Sequence, residues 1–161
     1  MTELLPPHVR PLSFAGSELL LDLVHAARTY FPVDLESLLI VACVNEATMR
    51  PFVLDPATPR EVLHAPKPPE SVRGSISRRM IADKLGLPRE TVRRKTSELA
   101  AMGVLRVDEE DRVRITQELD NPFAQHLLEE GHRAVLRYVQ RLAELGVDWQ
   151  AIPPLRGEEQ P

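Results

Sequence analysis

Arginine carries the most specific chemistry in this chain. Between Arg73 and Lys95 stand eight cations, Arg73, Arg78, Arg79, Lys84, Arg89, Arg93, Arg94 and Lys95, against only Asp83 and Glu90. That is +6 over 23 residues, while the remaining 138 sum to −10 and the whole chain to −4. A guanidinium is a planar fork of donors that matches guanine O6 and N7 or the edge of a phosphate, so clustered arginines suit a polyanion. Spread evenly, a charge of −4 over 161 residues would repel such a partner. Concentrated, the cations form a local footprint, or at the least a solvated basic face.

Other chemistries lack their residues. The single cysteine, Cys43, excludes an intramolecular disulfide and a cysteine-based zinc site, and in its apolar surroundings it reads as a small core residue. His126 and Glu130 share a helical face, as do Glu129 and His132, yet neither pair reaches the three or four ligands a metal needs. His8, His25 and His64 are isolated. There is no glycine-rich phosphate loop, no serine elbow and no carboxylate pair set off from ordinary surface acids. The expectation is a protein that is not an enzyme, with no catalytic residue, no metal and no cofactor. No apolar run approaches the ~18 residues of a membrane span, and the start Met1-Thr2-Glu3, soon followed by Pro6 and Pro7, lacks the pattern of a signal peptide. A soluble cytoplasmic protein without a membrane partner is expected.

The elements that hold the arginines are written in caps and stops. Ser77 caps a helix over Arg78 to Leu85, with Ile76 and Ile81 at the spacing of a hydrophobic staple. Gly86 suits the left-handed residue that ends it, and Pro88 opens a second helix running to Met102 before Gly103. Ala82 is small enough for two helices to cross closely, Gly86 follows four residues later and Val92 ten. Ile81, Leu85, Leu87, Val92 and Leu99 then share one small core. This is a helix-turn-helix pattern, whose second helix enters the DNA major groove. After it, Leu105 and Val107 match Val113 and Ile115 across the acidic turn Asp108-Glu109-Glu110-Asp111, the alternation of a hairpin with one buried face. The predicted fold is mainly α with a small β-hairpin wing, a winged helix-turn-helix with additional N- and C-terminal helices.

The run from Ile81 to Lys95, Ile-Ala-Asp-Lys-Leu-Gly-Leu-Pro-Arg-Glu-Thr-Val-Arg-Arg-Lys, resembles the reading head of the MarR, GntR and DeoR families of bacterial winged-helix transcription regulators. The resemblance covers about Ser75 to Thr116, a quarter of the chain, and implies double-stranded DNA as partner. Two features depart from it. Thr96 stands where such helices usually carry Leu or Ile, implying looser packing, and the proline-rich stretch before Ser75 is unlike a compact MarR protein.

With Val92 turned to the core, about 100° per residue sets Thr96 and Leu99 beside it and turns Glu90, Arg93, Arg94, Ser97 and Ala101 outward. Glu90, Arg93, Arg94 and Ser97 are the expected base contacts, with Glu90 either accepting from a cytosine amino group or pairing with Arg94 one turn on. Arg89, Thr91 and Lys95 at the flanks, and Arg78 and Arg79 at the start of the first helix, are expected to meet phosphates. Arg106, Arg112 and Arg114 alternate on the outer face of the hairpin; Arg112 and Arg114 are further phosphate candidates, or they solubilise the hairpin and balance its acidic turn. Lys84 is read as a solvent charge.

The flanks supply helices. Residues 1–50 are expected to hold a loose tail to residue 12, a helix from Ser17 to Tyr30 and, capped by Asp34, a helix from Leu35 to Met49 that is apolar nearly all round and packs on the winged core. The segment 51–70, with six prolines before Glu70, reads as an extended connection in which only a short strand near Ser71–Arg73 is allowed; 71–117 is the DNA-binding module. Asn121-Pro122 opens a long helix within 118–146 that stops at Gly146, and 147–161 is a tail. Phe123, Leu127, Ala134, Tyr138 and Leu142 form its apolar stripe, expected to pair with a second copy across a two-fold axis. The function expected is sequence-specific recognition of duplex DNA by a homodimer that regulates transcription, compatible with a small-molecule effector of unidentified chemistry. The alternatives are a winged-helix module that binds protein within a larger assembly, or another nucleic-acid-binding role.

Overall fold

The computed structural model describes residues 5–30, 33–116 and 122–152. Among these, six α-helices and one three-stranded antiparallel sheet follow in the order α1 (Val9–Tyr30), α2 (Leu35–Val53), α3 (Arg60–Leu63), β1 (Ile76–Ser77), α4 (Arg78–Leu85), α5 (Arg89–Ala101), β2 (Leu105–Val107), β3 (Arg112–Ile115) and α6 (Pro122–Glu144). The chain divides into two compact units, one from Ala27 to Leu127 and the other from the residues on either side of it.

In the Ala27–Leu127 unit the local signals build what they announce. Asp34 accepts from the Ser37 amide at 2.9 Å and starts α2; Ser77 accepts from Met80 at 3.2 Å and starts α4. Gly86 and Gly103 take φ of 63° and 73°, and the next residue of each, Leu87 or Val104, donates back to Ala82 or Leu99. That bond occupies a carbonyl which the helix end would leave open. The sheet order is β1-β3-β2, with Ile76 opposite Val113, Leu105 opposite Ile115 and Val107 opposite Val113. The hairpin expected from the sequence therefore gains a third strand, formed by the residues just before α4. One core joins α2, α4, α5 and the sheet through Ile40, Val44, Ile76, Ile81, Val92, Leu99, Val104, Leu105 and Val113, all buried. Burying each of the larger ones contributes roughly 1.5–3 kcal/mol. On α2, Cys43 is buried among them, while Leu39 and Ala42 remain exposed, so that helix is covered on fewer sides than its composition predicts.

The prolines break less than expected. α1 starts at Val9, and Pro11 sits in its first turn, where no amide hydrogen is required. α2 runs through Pro51 to Val53. The stretch expected to be extended holds α3 and a 3-10 turn at Glu70–Val72, which takes the place of the allowed strand. Gly74 then passes so close to α2 that any Cβ would collide with the Ala47 carbonyl and the Pro51 ring. Its amide donates to the Thr48 carbonyl at 2.9 Å, and the Thr48 hydroxyl accepts from Ile115 at 3.3 Å, which fixes α2 against β3.

In the other unit α1 and α6 are tied by Arg137 to Asp22 at 2.5 Å and Arg141 to Glu18 at 2.9 Å. α6 closes at Gly146, with φ of 70°. Asn121 lies outside the described residues, as does the side chain of Phe123. The rest of the expected dimer stripe requires correction. Ala134 and Leu142 are already buried by the chain itself, Tyr138 is half-buried, and Leu127 packs against the core of the Ala27–Leu127 unit. Large apolar side chains are exposed elsewhere on α6, at Leu128, Val135, Leu136 and Val139, and on α1 at Phe14, Leu20 and Leu21. No helix of the described residues is long and apolar enough to cross a membrane.

Candidate nucleic-acid interface

α5 is held by one face and open on the other. Val92 and Thr96 are fully buried and Leu99 nearly so, while Arg89, Glu90, Arg93, Arg94, Ser97 and Ala101 are exposed. Thr96 fits the core because its hydroxyl donates to the Val92 carbonyl of its own helix at 2.7 Å, so no buried polar atom is stranded.

The outward side chains form a small charge lattice. The Arg93 fork closes on both Glu90 oxygens at 2.6 and 2.8 Å, and Arg94 donates to Glu98 at 2.9 Å. Glu90 thus pairs with Arg93 rather than with the expected Arg94. The fork holds the Glu90 carboxyl below its ordinary pKa range, and the carboxylate raises Arg93 in return. These are solvent-exposed pairs, worth little individually, and a phosphate or base edge can exchange for the carboxylate. Arg89 has no ion-pair partner among the described residues; Arg79 is exposed, 3.9 Å from Asp83. Thr91 is half-buried.

Other candidates are engaged within the chain. Arg78 reaches Asp111 of the β2–β3 turn at 2.9 Å and Ser97 at 3.3 Å, tying α4 to both α5 and the hairpin. Arg112 donates to the Ser75 hydroxyl and carbonyl at 3.0 and 2.7 Å. Arg114 pairs with Glu70 at 3.2 Å. Lys84, read as a solvent charge, bonds Glu46 of α2 at 2.8 Å and helps hold that carboxyl below its usual range.

Lys95 is not a phosphate contact. It is 4% exposed, with its ammonium 2.7 Å from Asp34 and 3.4 Å from Glu36 at the start of α2. Both carboxylates are half exposed, so the ion cluster is covered but shallow. Lys95 holds Asp34 down to about 2, helped by the Ser37 amide, and its own pKa is raised by Asp34. From Val92 the helix turns Lys95 to roughly −60°, next to Leu99, which already sets it beside the buried face. The acids that receive it come from the loop and first turn of α2, sixty residues away in sequence.

A cleft of about 520 Å³ lies between α2, the Arg73–Ile76 segment and α4, lined by Ala47, Pro51, Ile76 and Met80 together with Arg50 and Lys84. Among the described residues no group of three or more His, Cys, Asp or Glu gathers in a way that would hold a metal ion.

No protein-family model, curated protein or solved structure matches the chain.

Proposed function

We propose that the Ala27–Leu127 unit is a winged helix-turn-helix and that the chain binds specific duplex DNA sequences as a homodimeric transcription regulator. The observation that carries this reading is the outward face of α5. Arg89, Arg93, Arg94 and Ser97 stand exposed there, opposite the buried Val92, Thr96 and Leu99. A helix gripped from behind by a core and presenting arginine forks in front can lie in the major groove and read guanine edges. The run β1, α4, α5, β2, β3 behind the long helix α2 and the short α3, and the likeness of residues 81–95 to bacterial reading heads, favour the same assignment. Arg93 and Arg94 read bases, with Glu90 and Ser97 beside them. Arg79 and Arg89 meet phosphates. No catalytic step is part of this role.

Pairing of two copies would use the apolar residues that α1 and α6 leave exposed, Leu20, Leu21, Leu128, Val135 and Val139 among them. Two reading helices about 34 Å apart would then meet the halves of an inverted repeat. An effector would find room in the 520 Å³ cleft, which is within the ordinary range of ligand sites.

Selection of bound sequences from a random duplex pool tests the reading. Enrichment of an inverted repeat supports it. Failure to enrich any motif, with the full chain folded, overturns it in favour of a protein-binding module.

A further inference from the structure

The outer face of the sheet carries a charge arrangement that the α5 reading does not use. Arg106 of β2 stands directly opposite Arg114 of β3. Like charges in directly opposed strand positions destabilise a sheet unless something lies between them. These two line a cleft of about 180 Å³ together with Lys67, Glu70, Arg73, Ile115 and Thr116. Arg73, Arg106 and Arg114 therefore meet one carboxylate there, Glu70.

Glu70 cannot serve them all. One of its oxygens takes Arg73 at 2.8 Å and the other takes Arg114 at 3.2 Å. Arg73, whose side chain is 11% exposed, also donates to the Ile115 carbonyl and is fixed in place. Arg106 has no ion-pair partner among the described residues. The Nε of Arg114, like that of Arg78, is buried with no hydrogen-bond partner among the described residues. The cleft is smaller than the ~300 Å³ at which pockets for drug-sized molecules begin, so its natural occupant is small.

We propose that this cleft binds a phosphate group, with oxygens taken by Arg106, Arg114 and Arg73. A tetrahedral oxyanion separates the two opposed arginines and balances the surplus charge. The inference stands apart from the α5 reading, because a small phosphate binds here whether or not a duplex binds there.

The test is titration of the full chain with inorganic phosphate at constant ionic strength, following the backbone amide resonances of β2 and β3. The expected result is a saturable shift confined to those strands. Arg106→Ala, which removes an exposed side chain and no internal bond, weakens it about tenfold or more. Glu70→Gln, which removes the competing charge, tightens it several-fold. Absence of a saturable shift in the unmodified protein, or equal affinity in Arg106→Ala, overturns the proposal. Short duplex DNA identifies the source of the phosphate. If phosphate displaces the duplex and Arg106→Ala weakens duplex binding in step, the group belongs to a nucleic-acid backbone. If duplex binding is indifferent to both, it belongs to a free phosphate or phosphomonoester; either result upholds the site.

Discussion

Neighbouring arginines on α5 are expected to fail in different ways. Replacing Arg93 or Arg94 by Ala is predicted to cost about 1–3 kcal/mol of DNA affinity and to relax one position of the selected sequence. Arg89→Ala should weaken all duplexes alike and, lost from both copies of a dimer, reduce the salt slope by about 2, because a phosphate contact carries no base information. Competition binding against sequence variants separates the two patterns. Lys95 obeys another logic. Asp34 has its pKa lowered from 3.8 to about 2 in the fold, so its charge stabilises the protein above the higher value, and that contribution is lost as pH falls through the lower one. Lys95, raised by the same contact, keeps its share until alkaline pH exceeds its own shifted value. Asp34→Asn preserves an N-cap while removing the nearer of the two carboxylates that pair with Lys95. With the Asp34 side chain 56% exposed, the full linkage value must be discounted for solvent, leaving about 1 kcal/mol near neutral pH. Denaturant unfolding should show the two proteins converging as pH falls from 4 toward 2. None of this was legible in the run of cations around Lys95, since its partners are distant in sequence and only folding brings them near.

Elements ended by glycine and opened by a capping hydroxyl are legible to within about a residue. Ser77, Gly86 and Gly103 bound α4 and α5 where their chemistry says they should. Elements containing proline are poorly legible, because its position decides its effect. Pro11 falls in a first turn and Pro51 near the last turn of α2, where a single backbone bond is at stake and tertiary contacts offset it. β1 leaves almost no trace in the sequence because two residues carry no periodicity; its only mark is Ile76, which equally suits a helix staple. The close passage of Gly74 under α2 was equally invisible, as nothing local distinguishes it from a flexible glycine. Gly74→Ala forces the Arg73–Ile76 segment off α2 and should cost about 1–3 kcal/mol, the ordinary penalty of overpacking. A lowered denaturation midpoint with an unchanged slope would show it; a neutral result would mean that the segment yields freely.

At the scale of the molecule, charge and oligomeric state meet. Arg79 and Arg89 are the exposed cations of α4 and α5 assigned to phosphates, so two protomers would neutralise about four phosphates and give a log–log salt slope of roughly −4. A slope near half that value would indicate that each duplex engages one copy. Light scattering at micromolar concentration decides independently, and replacing Leu136 and Val139 by charged residues should leave folding intact while abolishing dimers and the steep slope together. In the stripe that helical spacing predicts, Ala134 and Leu142 are already covered by the chain itself. Spacing identifies a face without saying what will lie on it. Cys43, finally, is the chain's single thiol, 6% exposed in the core that α2 shares with α4, α5 and the sheet, and burial raises its pKa. Its reaction with a disulfide reagent must therefore wait for that core to open. The labelling rate becomes a built-in clock for rare breathing events, readable by mass spectrometry on unaltered protein.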